Sequence, residues 1–164
     1  MEKAKNVTFN EVETIMHNIY DGIMLDGAIS LEKDIKIYSL NSKSIIPAMM
    51  LSGFLSLSFE NLQTKPKDGG GFDFVNFPSN IKDQIFVVDC FLSDGKLVDS
   101  FLNKLDLIKK EKSTQVIVVA PFANSDAFDI VLKKRKKTNT TIHVYEVFNN
   151  KNKISIILPW SAFC

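Results

Sequence analysis

The chain has 164 residues, of which 45% are hydrophobic and 24% charged, a balance that suits one packed domain and excludes a disordered, collagen-like or coiled-coil protein. Lys and Arg number 20 against 19 Asp and Glu, so the net charge of +1 gives no ground for polyanion binding by the whole molecule, and any such function must be local. Two cysteines (Cys90, Cys164) and two histidines (His17, His143) make neither a disulfide framework nor a metal-ligand pattern, and no apolar stretch approaches the roughly 20 residues of a membrane span. The expectation is a single domain over 1–164 in a reducing, cytoplasmic setting, with no targeting segment, no metal and no membrane.

Thr8 followed by Glu11 forms a capping box, and apolar positions at Val12, Ile15, Met16, Ile19 and Ile23 predict an amphipathic helix behind it. Ile35 to Leu40 reads as a short strand ending at Asn41-Ser42. The run from Ile45 to Leu55 is apolar nearly throughout and suits a buried strand turning into a helix. Asn61 to Gly71 holds Thr, Lys, Pro, Asp and three consecutive glycines; it reads as a mobile loop, either a lid or a hairpin tip. Phe72 to Phe77 then reads as a strand, and Gln84 to Asp89 as the short apolar run found inside parallel sheets.

Helical spacing resumes at Leu97, Phe101, Leu102, Leu105 and Ile108. Val116 to Ala120 predicts a second buried strand stopped by Pro121, followed by a helix from Phe128 to Leu132. Thr141 to Phe148 alternates as a strand, and a last strand from Ile154 ends at Leu158-Pro159. Strands alternating with helices over short connections predict an α/β fold in three layers, with a mostly parallel central sheet flanked by helices. Thirteen Phe spread along the chain are expected in the core.

Ligands of open α/β sheets bind beyond the carboxyl ends of the strands, often with an anion at the following helix N-terminus. There the chain reads Val88-Asp89-Cys90-Phe91-Leu92-Ser93-Asp94-Gly95-Lys96-Leu97, a strand, an acid, a loop and a helix start. On the residues alone this is either a phosphate or sugar loop or a plain connection. Asp89 is either a ribose- or magnesium-binding acid or a brace for its own loop. Cys90 reads as a buried filler, because no His or Asn is placed to activate it. His17 and His143 stand alone and read as structural. Lys133-Lys134-Arg135-Lys136-Lys137 is the one local charge anomaly, either a solvated helix end or a contact for RNA or another polyanion.

Val88 to Leu97 resembles, without a gap, the V-D-P-M-L-A-T-G-G-S loop of the uracil phosphoribosyltransferases, within the type I phosphoribosyltransferase fold. Val75-Asn76-Phe77-Pro78 is similar to that family's V-K-L-P, Ile45 through Gly53 to its pyrophosphate-loop region, Ala120-Pro121 to a strand end, and Ile156 to Pro159 to its late I-V-P strand. The resemblance runs from about Thr8 to Pro159. It implies that Asp89, Ser93, Asp94, Gly95 and Lys96 stand where the family binds ribose and 5′-phosphate, and that Ile157, Leu158 and Pro159 stand at the base edge. In an active member the substrates would be uracil and phosphoribosyl pyrophosphate with Mg²⁺, giving UMP and pyrophosphate.

The departures fall on the same places. Asp94 replaces the family's Thr and puts a carboxylate where a phosphate should sit; Lys96 replaces a Gly; no cation occurs from Pro47 to Gly53; and after Pro159 the chain reads Trp-Ser-Ala-Phe-Cys instead of the base-recognition segment. The expectation is a degenerate member without catalysis, shortened at its C-terminal end, serving as a nucleotide-binding or assembly component with a protein partner, a second copy of itself, or a nucleotide such as UMP. An active transferase is the first alternative, and an RNA- or ribosome-associated protein using residues 133–137 is the second.

Overall fold

The structure is a computed structural model and describes residues 3–30, 33–108, 114–135, 139–149 and 154–160. Its elements, in chain order, are β1 (Lys3–Asn6), α1 (Phe9–Leu25), β2 (Ile35–Ser39), α2 (Ile45–Leu55), β3 (Phe59–Asn61), β4 (Thr64–Pro66), β5 (Phe72–Phe74), β6 (Gln84–Val88), β7 (Phe91–Leu92), α3 (Lys96–Ile108), β8 (Gln115–Asn124), α4 (Ser125–Arg135), β9 (Thr140–Phe148) and β10 (Ile154–Ile157).

A six-stranded sheet runs β3-β2-β6-β8, with β9 on the far side of β8 and the short β7 pairing the end of β8. Every pairing in it is parallel. Strand period two decides the layers. From β6, Phe86 and Val88 pack with Ile117 and Val119 against α1 and α2, through Val12, Met16, Ile23, Ala48 and Leu51. Ile85 and Val87 pack with Val116 and Val118 against α3 and α4, through Val98, Phe101, Leu105, Ala127 and Val131. Both faces of β6 are therefore buried, as its unbroken apolar run requires. Among the described residues no helix is long and apolar enough to cross a membrane.

The capping box forms as its spacing predicts: the Glu11 N–H donates to Thr8 Oγ1 at 3.3 Å and the Thr8 N–H to Glu11 Oε2 at 2.7 Å. Elsewhere the structure differs from the sequence reading. Ile45–Leu55 is helical throughout, led in by a 3₁₀ turn at Ser42–Ser44, with no strand portion. Only Phe72–Phe74 of the Phe72 to Phe77 segment is a strand, and it pairs antiparallel with β4 in a hairpin outside the main sheet. The Gly69–Gly71 segment is the tip of that hairpin, closed by Lys67 N–H to Gly71 O at 3.1 Å.

Pro121 does not stop β8. Its missing N–H is harmless because β6 ends opposite Val119, β7 resumes only at Phe122, and the β9 register passes from Ala120 to Phe122. The final strand, β10, pairs in parallel with β1, a strand whose polar Lys-Ala-Lys-Asn sequence gives no sign of it. This small second sheet meets the main one where the Lys5 ammonium pairs with Glu146 and stands 5.5 Å from the Phe122 and Phe148 rings.

Candidate functional site

The carboxyl ends of β2, β6 and β8 converge on one end of the sheet. The Leu40 N–H donates to Val88 O at 3.0 Å, which holds the β2 exit beside the β6 exit, and the Asp89 N–H donates to Val119 O at 3.0 Å. Asp89 is only 5% exposed. Its Oδ1 accepts from Asn41 Nδ2 and from the Phe91 N–H, both at 3.4 Å. Burial pushes its carboxyl up to about 7, against the opposing pull of these two donors.

Asn41 is the hub between the two loops. Its Oδ1 accepts from the Ser44 hydroxyl at 2.8 Å and the Ser44 N–H at 3.0 Å, while Ser44 Oγ accepts the Cys90 N–H at 2.9 Å. The hydrogen bonds among Asp89, Asn41, Ser44 and Cys90, with the Asp89–Cys90 peptide bond, thus close a ring that joins the β2 loop to the β6 loop. Cys90 is buried beneath it. The Lys43 carbonyl accepts Trp160 Nε1–H at 2.9 Å; Trp160 is only 7% exposed and meets Phe9 edge-on at 6.4 Å. Lys43 itself is exposed, a cation at the β2 exit.

The remaining loop candidates sit at the start of α3. The Ser93 carbonyl accepts from Asn124 Nδ2 at 2.9 Å, tying the loop to the end of β8. Asp94 Oδ1 accepts the Lys96 N–H at 3.0 Å, and Asp94 Oδ2 lies 3.5 Å from the Lys96 ammonium. This Asx turn places a carboxylate against an amide that a helix N-terminus offers to an anion. Gly95 has φ +71, and a Cβ there would stand 3.0 Å from the Ala127 carbonyl, so a left-handed turn and close contact with α4 both require glycine.

The other candidates lie on β10, the segment after it, and α4. Ile157 is 46% exposed in β10, Leu158 is buried in the core shared with α1, and Pro159 is exposed beside Trp160. Of the basic run, Lys133 is exposed near the end of α4; Lys134 and Arg135 belong to the helix, and Lys136 and Lys137 lie outside the described residues. His17 stacks on Phe54 at 4.2 Å, and His143 sits 3.8 Å from Asp26 with burial holding its pKa down.

Asn41, Lys43 and Ser44 escaped the sequence reading of this end. The rule that directs attention past the end of β6 applies equally to β2, and Asn-Ser-Lys-Ser directly after an apolar strand was the available signal. Among the described residues no three His, Cys, Asp or Glu side chains group as a metal site. Asp89 is buried, with burial raising its pKa, and Asp94 Oδ2 stands 3.5 Å from the Lys96 ammonium.

No family model matches the chain, and no curated protein matches it in sequence. Solved structures do match. A hypothetical protein from Neisseria gonorrhoeae with bound ppGpp aligns at a TM-score of 0.66 and 17% identity, covering 98% of this chain and 90% of that one. The xanthine-guanine-hypoxanthine phosphoribosyltransferase of Helicobacter pylori aligns at 0.67 and 13%, covering 99% and 95%. A purine phosphoribosyltransferase from Pyrococcus horikoshii aligns at 0.64 and 14%, covering 96% and 93%. With its parallel sheet, flanking helices and near-complete coverage of these neighbours, the chain adopts the type I phosphoribosyltransferase fold.

Proposed function

We propose that this protein is a degenerate phosphoribosyltransferase-fold protein that carries out no transfer and acts as a binding or assembly component. The observation that carries this reading is the Asp94 carboxylate on the Lys96 N–H, which puts an internal anion at the head of α3. A substrate phosphate would have to displace that carboxylate and be repelled by it. The buried Asp89 adds to the same reading, because its Oδ1 already accepts from Asn41 Nδ2 and the Phe91 N–H and so has less capacity left for ribose hydroxyls.

The base is a finer question. Val88 to Leu97 resembles the uracil enzymes, whereas two of the neighbours are named for purine bases. The first neighbour, described with bound ppGpp, makes a guanine nucleotide a reasonable probe beside UMP. We therefore take nucleotide binding at this end as non-catalytic, with the partner a protein or a second copy of the chain.

Calorimetric titration with phosphoribosyl pyrophosphate, UMP and GMP, each with and without Mg²⁺, tests the reading. It expects no Mg²⁺-dependent binding of phosphoribosyl pyrophosphate. Tight Mg²⁺-dependent binding together with nucleotide formation from a free base would establish an active transferase instead.

A further inference from the structure

The β4–β5 hairpin and the solvent face of α3 border a groove of about 510 Å³. That lies within the roughly 300–1,000 Å³ usual for small-molecule sites. Lys96, Ser100, Lys104 and Leu107 line it from α3 at helical spacing, on the side away from the buried Phe101 and Leu105. The opposite wall is the glycine tip with Lys67 and Phe72. The seam between the walls is fixed: the Phe72 N–H donates to Ser100 Oγ at 3.0 Å, and a Cβ on Gly71, which has φ +83, would stand 3.0 Å from that same oxygen.

The charges in the groove do not cancel locally. Asp73 stands opposite Lys65 in the hairpin register. Asp99 accepts from Asn103 Nδ2 at 3.1 Å and sits in the first turn of α3, where the helix dipole favours it. Lys96 faces Asp94. Asp68 follows Lys67 but does not line the groove. That leaves Lys67 and Lys104, exposed on opposite walls, whose ammonium groups make no hydrogen bond or ion pair among the described residues.

We propose that this groove is a second binding site, for a small phosphorylated organic molecule. Lys67 and Lys104 neutralise its phosphate from the two walls, and Phe72 and Leu107 cover its apolar body. Lysine suits this role as a mobile point charge on a flexible stem. The proposal does not depend on whether the Asp89 to Lys96 loop binds anything, since its two cations belong to neither that loop nor the β2 exit.

The experiment is an NMR titration of ¹⁵N-labelled protein with inorganic pyrophosphate and, separately, with UMP. The expected result is saturable shifts of the Gly69–Gly71 and Ser100–Lys104 amides, with UMP also moving Phe72 and Leu107. The dissociation constant should rise about tenfold in the Lys67→Ala/Lys104→Ala variant, and should not change in Lys43→Ala. Both lysines are exposed, so an unchanged melting temperature verifies that the double variant is folded. Absence of shifts at these positions up to about 10 mM ligand, or shifts indifferent to the double substitution, would overturn the proposal. Shifts confined to residues 41–44 and 89–96 would overturn it too, and would bear instead on the end of the sheet.

Discussion

The Asp94 carboxylate holds the backbone N–H of Lys96 at 3.0 Å with one oxygen and faces the Lys96 ammonium at 3.5 Å with the other. Two substitutions relative to the loop it resembles are therefore coupled, the acid occupying the amide and the cation balancing the acid. Both side chains are more than half exposed, so the ion pair itself contributes little to stability. Its consequence is for binding, at the place where the neighbouring helix would offer its N–H groups to a ligand.

The turn depends on Gly95. Its φ of +71 and the 3.0 Å approach to the Ala127 carbonyl are both incompatible with a side chain unless backbone moves. Gly95→Ala should destabilise the protein by about 1–3 kcal/mol, seen as a lower urea midpoint with an unchanged slope. An unaltered midpoint would show that the loop readjusts freely against α4.

Asp89 gives a pH signature whose sign is unusual for a carboxylate. Its folded pKa, raised to about 7, exceeds its unfolded value, so the folded state holds the extra proton between roughly pH 4 and 7. Stability from this group is greatest below about pH 4 and is lost as pH rises through about 7. The neutral isostere Asp89→Asn should accordingly melt higher than wild type at pH 8 and much closer to it at pH 5. A variant that melts lower at pH 8 would indicate that the folded state favours the carboxylate through its donors and that burial does not raise the Asp89 pKa.

Trp160 fastens the β2 exit loop through its bond to the Lys43 carbonyl. Trp160→Phe keeps most of the buried aromatic volume and removes that donor. The expected cost is about 1 kcal/mol, together with faster amide exchange concentrated at Asn41–Ser44. Uniformly faster exchange would mean that the indole acts only through general packing.

How far the sequence announces this molecule depends on where each element gets its stability. Gln84–Val88 is legible because a strand buried on both faces must be continuously apolar, and the Thr8–Glu11 box because its partners are three residues apart. The helix at Ile45–Leu55 is ambiguous for a related reason: apolar residues on nearly every side erase the periodicity that separates helix from strand. β1 is invisible, since Lys3–Asn6 becomes a strand only by pairing with residues about 150 positions later in the chain. Pro121 misleads because its tolerance depends on a gap in two neighbouring ladders. At the site, Asp89 and Asp94 stand out against a motif, whereas Asn41 and Ser44 matter only because the fold brings them to Asp89 and Cys90.

The most direct measurement is pyrophosphate release with Mg²⁺, phosphoribosyl pyrophosphate and a panel of free bases, run beside calorimetry on the wild type and an Asp94→Thr/Lys96→Gly variant. The account predicts no release by the wild type and no binding of phosphoribosyl pyrophosphate up to about 1 mM, with measurable binding appearing in the variant once the internal carboxylate is gone. Wild-type turnover of any base to its nucleotide, with binding lost instead of gained in the variant, would contradict it.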